Sequence, residues 1–149
     1  MYKRIAVAVD GSKTSDEALA EAIKLARELG SSLLLLHVCE EMPVILEPDG
    51  MSMLVTQDLM QAIARAGRAL LEKCGTTVRN AGLGAETKLI ETFGGRMGTE
   101  ISQASQRWGA DLLVVGTHGR KGVAHLLMGS VAEDVIRTAA MPVLLVRGR

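Results

Sequence analysis

The residues best suited to chemistry lie in one stretch, Gly116-Thr117-His118-Gly119-Arg120-Lys121-Gly122, followed six residues later by Gly129-Ser130. Glycines let a backbone turn sharply and approach a ligand closely. Gly129-Ser130 precede an amphipathic segment, where the free N–H groups and dipole of a helix start favour an anion. Arg120 and Lys121 add positive charge beside it. A phosphate-bearing ligand accounts for all of these features. A plain turn followed by a helix cap would show the same glycines and serine, so spacing alone leaves both readings open.

The stock nucleotide motifs are missing. No Gly-x-x-x-x-Gly-Lys-Ser/Thr occurs, and the first apolar run is followed by Asp10-Gly11-Ser12 in place of Gly-x-Gly-x-x-Gly. Both the P-loop NTPase and the standard dehydrogenase readings therefore fall. His37 and Cys39 share one face of an expected strand, but two ligands do not make a metal site, and core packing is the expectation. His118 and His125 read as loop histidines. Met42, Met51, Met53 and Met60 lie in or beside a Pro-containing segment and are expected to pack locally against a sheet edge. No Ser/His/Asp set, Cys/His set or carboxylate pair stands out.

The elements that must position these residues alternate. Lys3–Val9 reads as a strand ending at Asp10-Gly11-Ser12. Thr14 with Glu17 has capping-box spacing, and the helix that follows carries Leu19, Ala22, Ile23, Ala26 and Leu29 on one stripe up to Gly30. Leu33–Cys39 is a near-continuous apolar strand, as a parallel strand covered on both faces requires. Pro43, Pro48 and Asp49-Gly50 mark 40–56 as a loop. A long helix from about Thr56 to Ala81 then tolerates Gly67 and Gly75, with Gly82 as its stop. Strands are expected at Ala85–Glu91, Asp111–Val115 and Pro142–Val146, and helices at Thr99–Trp108 and from Ser130 to about Ala140. Ser130 with Glu133 has capping-box spacing again.

Strands separated by helices imply a parallel sheet, because parallel neighbours need crossover connections. The expected fold is α/β: a five-stranded parallel Rossmann-like (flavodoxin-like) sandwich with helices on both faces, in a single domain over 1–149. In such sheets ligands bind outside the carboxyl ends of the strands, where the strand order reverses. That directs attention to Asp10-Gly11-Ser12, the segment after Cys39, and Gly116 onward.

Composition narrows the function classes. Seventeen Lys and Arg balance seventeen Asp and Glu, which argues against a general nucleic-acid binder. With only Tyr2, Phe93 and Trp108 as aromatics, base-stacking platforms are nearly excluded. Cys39 and Cys74 cannot build a disulfide framework and suit a reducing compartment. The first apolar run, Ile5 to Val9, is too short for a signal peptide core or a membrane span. A cytoplasmic protein with no membrane or nucleic-acid partner is expected.

Gly116-x2-Gly119-x9-Gly129-Ser130 resembles the ATP-binding pattern Gly-x2-Gly-x9-Gly-Ser/Thr of the universal stress protein family. Ile5-Ala-Val-Ala-Val-Asp10-Gly-Ser12, Leu33-Leu-Leu-Leu-His-Val38, Gly109-Ala-Asp-Leu-Leu-Val-Val-Gly-Thr-His-Gly119 and Met141-Pro-Val-Leu-Leu-Val-Arg147 resemble its first, second, fourth and last strands. The resemblance implies that Asp10 meets the ribose or lies near the phosphates. It implies an adenine contact at the Val38 main chain, and a ribose and phosphate cradle from Gly116, Gly119, Arg120, Gly129, Ser130 and Val131. It further implies ATP (or another adenine nucleotide) with Mg2+ or Mn2+, a homodimer through Pro142–Val146, and a role in stress response. The competing reading of Asp10, given less weight, is a turn-forming Asx residue. The chain departs from the family at Gly95-Arg96-Met97-Gly98, where relatives often carry Gly-Asp-Pro; losing that acidic cap is expected to weaken the helix start. A second departure is Ala132, which lacks the hydroxyl that many relatives place there.

Three readings compete. The first is an ATP-binding regulatory protein with at most slow hydrolysis. The second is a nucleotide-independent dimeric interaction module of the same family. The third is an enzyme on a similar fold, against which the lack of an acid–base constellation beyond Asp10 counts.

Overall fold

The computed structural model describes residues 1–41, 51–119 and 128–148. The chain runs β1 (Arg4–Ala8), α1 (Lys13–Leu29), β2 (Ser32–Glu41), α2 (Met51–Asn80), β3 (Ala85–Phe93), α3 (Met97–Trp108), β4 (Leu112–Gly116), α4 (Ser130–Thr138) and β5 (Val143–Val146). All strand pairs are parallel, in the order β3-β2-β1-β4-β5. Of the two expected topologies, this is the Rossmann arrangement and not the flavodoxin order. Its reversal point lies between β1 and β4.

Beyond Arg4, β1, the Leu33–Leu36 run of β2 and β4 are apolar because alternate residues serve two cores. Ile5, Val7, Leu33, Leu35, Leu112 and Val114 face Leu19, Ala22 and Ala26 of α1 and Leu71, Cys74 and Val78 of α2. Ala6, Leu34, Leu36, Leu113 and Val115 face Ile101 and Ala104 of α3 and Val135 of α4. At the amino end of the sheet, the Asp111 carboxylate accepts from the Lys3 and Arg4 N–H groups at 2.8 and 3.1 Å. The Arg4 guanidinium lies over the Trp108 ring, 4.0 Å from its centroid.

Several local expectations are corrected. The cap of α1 is Ser12, whose hydroxyl accepts from Ser15 N–H; the Thr14–Glu17 box does not form it. Ser12 wins because Gly11, at φ 81°, turns the chain two residues earlier. The stretch 40–56 is not all loop. β2 continues to Glu41 and α2 begins at Met51, because no breaker follows Gly50; residues 42–50 lie outside those described. Met60 is half-buried in a groove of about 400 Å³ with Gln57, Gln61, Ala64, Arg68 and Glu91. The Ser130–Glu133 box is also replaced: Gly129 is the N-cap and Ser130 the first helical residue, with no side-chain cap bond.

α3 starts without a side-chain cap from its own N-cap residue, Arg96. Its start is not left open, however. The Asp134 carboxylate reaches across from α4 and accepts from Thr99 N–H at 2.7 Å and from the Thr99 hydroxyl at 2.9 Å. A distant acid thus replaces the local Asp that the sequence lacks.

His37 and Cys39 are core residues, as expected. His37 is buried and donates through Nδ1 to the Val9 carbonyl at 2.7 Å. Neither cysteine forms a disulfide, and both are buried. Burial, helped by the Asp16 carboxylate, holds the Cys74 thiol above its ordinary range.

The two glycines inside α2 have opposite surroundings. A Cβ at Gly67 would lie 2.7 Å from Leu89 Cδ1, 2.8 Å from Cys39 Sγ and 3.0 Å from His37 Cδ2. A Cβ at Gly75 would meet only the tip of the Arg79 side chain, at 3.4 Å. Overpacking typically costs about 1–3 kcal/mol, against a helix-propensity gain of about 1 kcal/mol for Ala over Gly. Gly67→Ala should therefore destabilise the fold by up to about 2 kcal/mol, whereas Gly75→Ala should stabilise it by up to about 1 kcal/mol. Urea midpoints for the two variants check this; shifts of the same sign would refute the packing account.

Candidate functional site

The carboxyl ends of β1 and β4 form the site. Their ladder pairs Ile5 with Leu112, Ala6 with Leu113 and Val7 with Val114, which carries Asp10 and Gly116 to the same end of the sheet. β1 leaves the sheet through three reciprocal bonds. Asp10 Oδ1 accepts from Ser12 N–H at 2.8 Å, Ser12 Oγ accepts from Ser15 N–H at 3.2 Å, and Ser15 Oγ accepts from Asp10 N–H at 3.0 Å. Asp10 is thus an Asx-turn residue through Oδ1. Its other oxygen faces the glycine loop: a Cβ at Gly119 would lie 3.0 Å from Oδ2.

β4 delivers the other wall. Gly116 closes on α1, where a Cβ would come within 2.8 Å of Thr14 Cγ2 and 3.2 Å of the Thr14 backbone. Thr117 donates its N–H to the Val146 carbonyl at 2.9 Å and accepts Gly129 N–H at 2.7 Å. Those two bonds fix the loop to β5 on one side and to the start of α4 on the other. A Cβ at Gly129 would stand 3.2 Å from Thr117 O and 3.7 Å from Gly119 N, so the two glycine segments touch. Gly129 itself has φ −64° and ψ 149°, an extended conformation open to any residue; close approach, not backbone angle, is what demands glycine.

Gly129 N–H is already bonded, and Glu133 N–H returns to Gly129 O at 3.0 Å. The donors that α4 leaves without an intrahelical partner are the N–H groups of Ser130, Val131 and Ala132. Ser130 is exposed and Val131 half-buried. These amides carry the positive end of the helix dipole, and the start of α1 with its Ser12 cap adjoins the same crevice. His118 is half-buried, with Nδ1 2.9 Å from the Thr117 hydroxyl.

Of the residues singled out from sequence, the structure brings Asp10, Gly116, Gly119 and Gly129 together, with Ser130 and Val131 opening the adjoining helix. Val38 lies at the same end of the sheet: the β1–β2 bonds finish with Val9 N–H to Leu36 O at 2.8 Å, and Val38 stands two residues beyond, paired on its far side with Ile90. Arg120, Lys121 and His125 lie outside the described residues. Sequence reasoning missed Thr14, which packs against Gly116, and Thr117, which ties β4 to both α4 and β5. No spacing rule marks Thr14, but Thr117 lies inside the glycine pattern. Among the described residues, no group of three or more His, Cys, Asp or Glu side chains is placed to hold a bare metal ion. No described helix is long and apolar enough to cross a membrane.

Comparison with known proteins agrees with this geometry. Residues 1–147 match the model of the universal stress protein family. The universal stress protein MJ0531 of Methanocaldococcus jannaschii is 33% identical over 148 residues, covering 99% of this chain and 83% of its own. The structure of MJ0577 from the same organism superposes with a TM-score of 0.82 at 24% identity, covering 100% of this chain and 98% of that one. A universal stress protein from Archaeoglobus fulgidus, solved in complex with dAMP, superposes with a TM-score of 0.68 at 25% identity, covering 97% and 98% of the two chains. The five-stranded parallel sheet, the paired glycine segments at its reversal point and a family match along nearly the whole chain lead to one conclusion: this chain belongs to the universal stress protein family.

Proposed function

We propose that this protein is a cytoplasmic regulatory protein of stress adaptation that binds an adenine nucleotide, ATP with Mg2+ or Mn2+, at the β1–β4 crevice. The observation that carries the reading is the meeting of Asp10 Oδ2, Gly119 and Gly129 in front of the α4 amides, a cradle that side chains at the glycines would fill. The amides of Ser130, Val131 and Ala132 would receive phosphate oxygens, with the Ser130 hydroxyl and the Arg120 side chain assisting. Gly116 and Gly119 would admit the ribose and phosphates, Asp10 would meet the ribose, and the Val38 main chain would contact the adenine. The relative bound to dAMP supports the nucleotide class. The divalent cation would enter with the phosphates, supplying charge neutralisation there. Hydrolysis needs a positioned water and a base; this reading gives Asp10 to the ribose, and turnover would be slow at most. A nucleotide-independent module is the alternative reading, and the intact glycine cradle counts against it.

A homodimer through β5 belongs to the same proposal. Pro142 O and Val146 O accept from Leu113 and Thr117, so even-numbered residues of β5 face β4. Val143 and Leu145 therefore turn their N–H and C=O groups outward, along an apolar edge that an isologous partner strand would cover.

Gly129→Val should abolish ATP binding by crowding Thr117 O and Gly119 N. Ser130→Ala should weaken it by about 0.5–3 kcal/mol, the worth of a neutral to charge-assisted hydrogen bond. Its fold stability should be nearly unchanged, since Ser130 does not cap α4 through its side chain. Arg120→Ala should weaken ATP more than adenosine. Titration calorimetry measures all three, and unchanged ATP affinity in Gly129→Val would reduce the glycine pattern to a turn.

Val143→Pro removes one outward N–H without touching the β4 ladder. Light scattering should find the parent dimeric and this variant monomeric, with circular dichroism unchanged. A concentration-independent parent monomer would end the dimer proposal.

A further inference from the structure

We propose that Asp134 is a positioning residue for the anion-binding end of α4, acting through α3; this rests on the nucleotide reading above. α4 has nine residues, of which only Ala132 and Val135 are buried, so the sheet alone gives it little orientation. α3 is the better-anchored helix, with Gly98, Ile101, Ser102, Ala104 and Ser105 buried. Three tethers join the two. At Gly98 a Cβ would lie 2.7 Å from Val131 O and from Asp134 Cβ, and 2.8 Å from Val135 N, so the start of α3 rests on the first turn of α4. Asp134, with a side chain 12% exposed, accepts from both Thr99 groups and pairs with Arg96 at 3.4 Å. One turn further on, the Ser102 and Thr138 hydroxyls meet at 2.9 Å.

Asp134 lies one turn beyond Ser130, on the helix whose first amides face the proposed phosphate. Its bonds to Thr99 fix how that turn is rotated and advanced relative to the sheet. Since the amides can reach phosphate oxygens only within a narrow range of geometry, the Asp134–Thr99 contact controls phosphate affinity without touching the ligand. By linkage, a ligand that holds the start of α4 in place strengthens the capping of α3 in return.

The test compares Asp134→Ala with Asp134→Asn by titration with ATP and with adenosine. Both variants remove the same negative charge, but only Asn retains an acceptor for Thr99 N–H. Asp134→Ala should bind ATP about fivefold or more weakly than Asp134→Asn, the lower range of coupling between sites, while adenosine binds both alike. In the parent protein, saturating ATP should slow exchange of the Thr99 amide proton, a measurement that stands even if Asp134→Ala fails to fold. Equal ATP affinities for the two variants, or Thr99 exchange indifferent to ATP, would overturn the proposal while leaving the nucleotide site standing. A parent protein that binds neither ligand would overturn both.

Discussion

The pairing of β1 with β4 is the constraint on which the site depends. Neighbouring parallel strands share a direction, so both carboxyl ends reach the same edge of the sheet, and each must then turn away to find its helix. Because β2 lies on one side of β1 and β4 on the other, the connections from these two strands diverge and leave a crevice between them. Ile5, Ala6 and Val7, all fully buried, hold the pair together from both faces. Among the described residues, what faces the crevice is backbone-borne or close to it: the Asx turn after β1, the glycine loop after β4, and the amides of α4. On the proposed reading, an anion would be recognised there by how the chain is routed more than by which described side chains line it.

Glycine serves this fold at interfaces as much as at turns. Gly67 lets α2 settle onto His37 and Cys39, Gly98 lets α3 meet α4, and Gly116 lets α1 meet β4. At each, two elements approach more closely than a β-carbon allows. The two interfaces nearest the proposed ligand, at Gly98 and Gly116, govern how α4 and α1 stand relative to the sheet.

Much of this was legible in the residues. The apolar runs Ile5–Val9 and Leu33–Cys39 announced strands buried on two faces, and Gly116, Gly119 and Gly129 announced a close approach. What escaped was set by tertiary geometry. Thr14 and Glu17 have the spacing of a cap, but the positive φ of Gly11 starts the helix earlier and gives that role to Ser12. Met51 to Val55 carry no helix signal strong enough to outweigh the prolines before them, yet nothing in them resists a helix once α2 is docked. The capping of α3 by Asp134 could not be read locally, because donor and acceptor meet only when two helices are packed side by side. Gly95-Arg96-Met97-Gly98 looks like a weakened helix start only while α4 is left out of view.

That capping bond also bears on the order of assembly. Thr99 and Asp134 are 35 residues apart in the chain, so the first turn of α3 lacks its acceptor until β4 has joined the sheet and α4 has come back across it. Closing so long a loop is entropically costly, and contacts of high sequence separation form slowly. In the folded chain the same contact completes the start of α3 and holds the start of α4. A chain that lacks α4 lacks the Asp134 acceptor for Thr99 N–H and, with it, one wall of the crevice at the sheet's reversal point.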